Sequence, residues 1–190
     1  KTLRVAIDSA PLEGAGRVED TINLLAHAAR KVVECAAALL GWSEERVCRE
    51  ARITLLLGSS VKRALDLDWS DPAQKASALK SLWVQLENLK DWLGARLNEE
   101  LAKPPLKDEV DTLRQLMDQD LEPDPDKGGA KIREGVAEDR RVSVEDADMR
   151  HGRKSKSKRF NGYKRHIAAA LDSGRILAGA ITPANRPEGE

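Results

Sequence analysis

DADMRHGRKSKSKRFNGYKRHIAAALDSGRILAGAITPANRPEGE, residues 146–190, is the stretch that decides how the chain is read. It opens on a basic run, Arg150, Arg153, Lys154, Lys156, Lys158, Arg159, Lys164 and Arg165, with no acid among them. The texture then changes. Tyr163 to Leu171 is small and apolar, Asp172-Ser173-Gly174 is turn chemistry, and Ile176 to Thr182 is apolar again. A glycine beside a short loop supplies the positive φ that hairpin turns need, so the segment predicts a β-hairpin with a basic approach strand. Thr182-Pro183-Ala184-Asn185 ends its second strand, because proline cannot donate to a ladder.

Outside this stretch the chain is mostly helical in pattern. Leu3 to Ile7 is a short β-rich run, and Asp8, Ser9 and Pro11 are expected to end it. Glu19 and Asp20 suit a helix N-terminus. From there Ile22, Leu25, Ala29, Val32, Val33, Ala36 and Leu40 keep helical spacing until Gly41. His27 lies beside this stripe with Lys31 four residues on, which favours a structural role over ligation. The GxG at Gly14–Gly16 lacks a P-loop lysine and carries no nucleotide role. Ser43 predicts the cap of a second helix, Glu44 to Leu57. Asp71-Pro72-Ala73-Gln74 combines a cap, a first-turn proline and a box partner. It opens the longest helix, with Leu79, Leu82, Trp83, Leu86, Leu89, Leu93 and Leu97 in one stripe. The stripe suits a core-facing side or a homodimer seam, and core-facing is the preferred reading. Pro104-Pro105 ends the helix. A shorter one follows, with Val110, Leu113, Leu116 and Met117 on one face. Residues 122–129 read as a linker by composition.

Charge and composition narrow the partners. The 190 residues carry equal numbers of acids and bases, yet 150–190 hold ten Lys/Arg against three Asp/Glu. A segregated basic segment says more than a zero average, and it suits a polyanion. Arg150, Arg153, Lys154, Lys156, Lys158, Arg159 and Lys164 would neutralise phosphates, with Tyr163 and Phe160 placed to stack on a base. A solvated basic loop is the plainer alternative. Cys35 and Cys48, the only cysteines, show no metal-ligand spacing and read as reduced, buried thiols. No apolar run is long enough to span a membrane.

Two segments together resemble the insertion-sequence DDE transposases. GYKRHIA, DSGRILAGAI and TPAN follow the order of that family's second and third strands and their ending, and RVAIDSAPLEGAGRVEDTINLL resembles its first strand. The resemblance implies an α+β chain: a partial RNase H-like β-sheet, made of the first strand plus a C-terminal β-hairpin, with a large α-helical insertion. Residues 1–17 would hold the first strand and loop, 18–120 the inserted helical bundle, 121–149 a linker, and 150–190 the basic segment and hairpin. It implies that Asp8 is a catalytic, metal-binding acid working with Mg2+, and that the partner is DNA, both transposon ends and target. The family usually has Thr or Ser two residues after this Asp, where this chain has Ala10. Asp146 and Asp148 are rival acids without an apolar strand to hold them. Glu188 and Glu190 lie too near the hairpin to be the family's later acids, which are expected beyond Glu190. The chain, starting at Lys1 on what reads as a strand, is therefore expected to be a fragment, inactive alone, of a bacterial cytoplasmic enzyme that joins the nucleoid when bound to DNA. A non-catalytic DNA-binding protein and a helical interaction module are the alternatives.

Overall fold

The computed structural model describes residues 3–58, 60–125 and 128–187. Part of the linker, Asp126 and Lys127, and the acids Glu188 and Glu190 lie outside them. The chain divides into two compact units, Glu19–Ala137 and a second made of Lys1–Val18 with Glu138–Glu190. The architecture is α+β with small antiparallel sheets.

The helical unit is built on α1, Thr21–Leu40. Asp20 caps it by accepting from the Asn23 N–H, and Gly41 closes it in the left-handed region at φ 64°. Leu24, Leu25, Ala28, Ala29, Val32, Val33 and Ala36 are buried, a stripe wide enough to pack against several partners. The helix expected over Glu44–Leu57 is shorter: α2 spans Glu44–Glu50. Arg52 turns left-handed at φ 56°, and a 3-10 turn at Thr54–Leu56 follows. That break lets Ile53 and Leu56 be buried along with Val47 and Cys48, whereas one continuous helix would put them on the opposite face from that pair. A short α3, Val61–Leu65, was not anticipated.

The long helix α4 runs Pro72–Arg96, capped by Asp71, whose carboxylate accepts from the Ala73 N–H at 2.8 Å. Leu79, Leu82, Leu86, Leu89, Leu93 and Leu97 are buried, so the leucine stripe faces the core. α5, Leu106–Asp120, buries Leu113 and Leu116. Its C-terminus runs into β2, Leu121–Pro123, which pairs with β3, Ala130–Ile132, so the predicted linker contains a small ribbon. The Glu19 carboxylate is buried and sits 2.7 Å from His27 Nδ1, which gives His27 a structural place. Cys48 is buried, and burial first, then Glu44 and Glu45, pushes its thiol up to about 11.

Among the described residues the sheet unit has four strands: β1 (Val5–Glu13), β4 (Arg150–Arg153), β5 (Arg159–Ala170) and β6 (Ile176–Pro183). β5 is central. It pairs antiparallel with β1 on one edge, from Val5 opposite Ala170 to Glu13 opposite Gly162. It also pairs with β6 and with the shorter β4. The hairpin turn carries Gly174 at φ 68°, as its sequence requires.

Two expectations about this unit need correction. β1 does not stop at Asp8 but continues through Pro11 to Glu13. The Gly14 N–H donates to the Asn161 carbonyl and the Leu171 N–H to the Arg4 carbonyl, each at 2.9 Å. With the observed register, the ladder-bonded residues of β1 are the even-numbered ones. Pro11 falls between them, so its nitrogen faces the strand's open edge and no ladder bond is lost. The rest of the linker, 138–149, is not bare either: Val142, Ser143, Val144 and Met149 are buried.

Candidate nucleic-acid interface

The basic run is for the most part paired in a sheet and is not a bare loop. β4 and the start of β5 form a ribbon in which Arg150, His151, Gly152 and Arg153 face Gly162, Asn161, Phe160 and Arg159. The Lys154 N–H donates to the Lys158 carbonyl at 2.9 Å, leaving Ser155-Lys156-Ser157 as the tip. Ser155 Oγ accepts from the Lys158 N–H at 3.1 Å and fixes the turn. Because alternate residues point to opposite faces, the ribbon has an inner and an outer side. Arg150, Gly152, Phe160 and Gly162 are buried; His151, Arg153 and Arg159 are exposed and Asn161 is half-buried.

Two glycines make this geometry possible. A Cβ on Gly152 would stand 2.6 Å from the Ala184 carbonyl oxygen. Gly162 has φ 144°, and a Cβ there would lie 2.3 Å from both the Gly14 nitrogen and the Leu12 carbonyl oxygen. Only glycine satisfies both the backbone angle and the close approach.

The residues singled out from sequence separate into three groups. Arg153, Lys154, Lys156, Lys158 and Arg159 are exposed along the ribbon and its tip, with no acid between them in sequence. Arg150 is drawn inward instead. Its guanidinium forks onto Asp139 at 2.9 and 3.2 Å and donates to the Met149 carbonyl at 3.0 Å. A buried cation paired this way holds the fold and is not presented to phosphate. Asp139 also accepts from Asn185 at 2.9 Å, and Arg150, then Asn185, hold its carboxyl down at about 2. Tyr163 donates its hydroxyl to Asp146, which pushes the phenol up to about 12, and Lys164 is tied to the Arg186 carbonyl at 2.7 Å.

Phe160 is buried, so it does not stack on a base. Asp146 is engaged by Tyr163 and by the Met149 N–H at 3.1 Å, which makes it a bracket for the loop before β4. Asp148 is exposed. His166 sits on the central strand with Nε2 3.0 Å from Thr182 Oγ1. Asp8 is exposed in the middle of β1, opposite Ile167, which in turn faces Gly179 of β6. A hollow lined by Ser9, Ala10 and Pro11, by Arg153 and Lys154, and by Phe160 and Lys164 places the residues just after Asp8 beside the base of the ribbon.

Sequence reasoning found the cations but missed Asp139, Asn185 and Asn161. The signal for Asn161 was available as period-two alternation across the run. Asp139 could not be found that way, because it acts from an irregular segment through a tertiary pair. Among the described residues no group of three or more His, Cys, Asp or Glu comes together as a metal site, and no helix is long and apolar enough to cross a membrane. No family model, no curated protein and no solved structure matches the chain.

Proposed function

We propose that this chain is the DNA-handling part of an insertion-sequence DDE transposase, with an RNase H-like sheet in which the β4–β5 ribbon grips DNA phosphates and Asp8 is a metal-binding acid. One observation carries the DNA half of the reading. Arg153 stands directly opposite Arg159, and Lys154 opposite Lys158, without an acid in the ribbon to neutralise them. Like charges directly across a ladder destabilise it, and an external polyanion relieves that repulsion.

The transposase half rests on the motif resemblance and on the pairing of β1 with β5. That pairing puts Asp8 in the same sheet as the basic ribbon. Mg2+ in such enzymes activates the attacking oxygen and stabilises the leaving one. Asp8 alone does not make that centre, since its cross-strand neighbours are Ile167 and Gly179. The other carboxylates would come from outside the described residues. The non-catalytic DNA-binding reading keeps the same interface.

Binding of a fluorescent random-sequence duplex, titrated against salt, tests the proposal. Five exposed cations predict that log K falls with log salt at a slope of about −4 to −5. Replacing Lys154, Lys156 and Lys158 by Glu should abolish binding, and Asp8→Asn should leave it intact. Absence of duplex binding by the wild type would end the reading. In a longer form of the chain that supplies the further acids, Mg2+-dependent strand cleavage that survives Asp8→Asn would remove Asp8 from the reading.

A further inference from the structure

We infer that the outer face of the β4–β5 ribbon is a base-reading surface that enters the major groove of duplex DNA, beyond gripping its backbone. The inference rests on the DNA-binding reading above and adds sequence discrimination to it. The ribbon's residues are sorted by chemistry. Lysines occupy the tip and the pair that closes it, at 156 and at 154 and 158, while the outer face carries two cross-strand pairs, Arg153 with Arg159 and His151 with Asn161.

Lysine is a compact charge suited to phosphate, whereas the arginine fork matches two acceptors held in one plane. In the major groove those acceptors are O6 and N7 of guanine, and the carboxamide of asparagine matches N6 and N7 of adenine. All four side chains leave the same face, because their neighbours Arg150, Gly152, Phe160 and Gly162 are buried on the other. His151 Nδ1 and Asn161 Oδ1 hydrogen bond to each other, which holds that pair in place before any partner arrives. Dimensions agree. Two strands lie about 4.8 Å apart, and a two-stranded ribbon fits a groove about 12 Å wide. The buried side of the ribbon is packed within its own unit, so only the outer side is available to enter.

Selection from a pool of randomised 20-base-pair duplexes, followed by sequencing of the bound fraction, tests this directly. The wild-type chain should enrich a short motif. Arg153→Lys and Arg159→Lys keep the charge and the exposed positions, and each should weaken discrimination at one base pair by roughly five- to a hundredfold with the salt slope unchanged. Lys156→Ala should do the converse: weaker binding to every duplex alike, a slope reduced by about one, and the same motif. Duplex binding with a normal salt slope but no enriched motif would overturn the inference and leave the phosphate grip standing. A motif indifferent to both arginine changes would overturn it too. Loss of all duplex binding by the wild type would overturn both readings, and a preference for single strands or RNA over duplex would overturn this one.

Discussion

The helical unit and the sheet unit solve the same burial problem to different degrees. In Glu19–Ala137 most of the large apolar residues of the long helices are inside, Leu39 and Val84 excepted: Leu24, Leu25, Leu82, Leu89 and Leu116 are all essentially inaccessible. In the sheet unit Ile7 is 75% exposed, Ile176 70% and Ile181 63%. Its buried apolar residues are fewer, among them Val142, Val144, Met149 and Phe160. Both units follow the local apolar pattern. A helix can hide a stripe against the next helix in sequence, but a sheet of this size covers its faces only with further layers. The sheet unit is accordingly held by backbone ladders and polar ties more than by a core.

The largest expected effect breaks the sheet at its ladder. Gly162→Val places a side chain on the Leu12 carbonyl and the Gly14 nitrogen at a left-handed φ. We expect a loss of more than about 4 kcal/mol from the sheet unit, enough to unfold it. Hydrogen exchange should show β1 and β5 amides unprotected while α1 and α4 keep their protection. Equal loss of protection in both units would mean that the two are not energetically separate.

The next prediction sharpens the contrast in burial. Leu82→Ala empties a fully buried position in α4 and should cost about 2–5 kcal/mol. Ile181→Ala removes the same kind of side chain from an exposed position in β6 and should change stability by about 0.5 kcal/mol or less. Denaturant midpoints of the two variants decide it. A cost for Ile181→Ala near that of Leu82→Ala would show that the face of β6 is covered in solution.

How much of this was legible in the sequence varies with the range of the interaction. The caps at Ser43 and Asp71, the acids at the start of α1, the stop at Gly41 and the leucine stripe of α4 are local, and each is where the pattern puts it. The hairpin of β5 and β6 was legible for the same reason. The end of β1 was misread, because proline breaks a strand only where its missing N–H would face a partner, and the edge position of Pro11 depends on a strand 150 residues away. The break after Glu50 was hidden by apolar spacing that suits a helix and a 3-10 turn alike. At the interface, the charges of the basic run were plain. Its strand character was legible too, but the turn at Ser155-Lys156-Ser157 that pairs it with the start of β5 was masked by Lys and Ser, which carry little strand preference of their own. Arg150 looked like its neighbours, and only its distant partner Asp139 sets it apart.

That partner provides the smallest effect and the most specific one. Asp139 ties Arg150, at the start of β4, to Asn185, just after β6, so one carboxylate closes the sheet unit across three segments. Its carboxyl sits at about 2 when folded, against an ordinary value of 3.8. A depressed acid adds stability that is fully present above its ordinary value and lost as the pH falls through the folded one. The stability gap between the wild type and Asp139→Asn should therefore be constant above about pH 4 and close toward pH 2. Because the carboxylate is half exposed, solvent screens the pair and the gap should be small. Denaturation midpoints of the two proteins measured from pH 6 to pH 2 would read it. A gap that stays constant through this range would mean that the Asn185 amide and the shape of the side chain, not the charge on Asp139, hold Arg150 away from the ribbon's outer face.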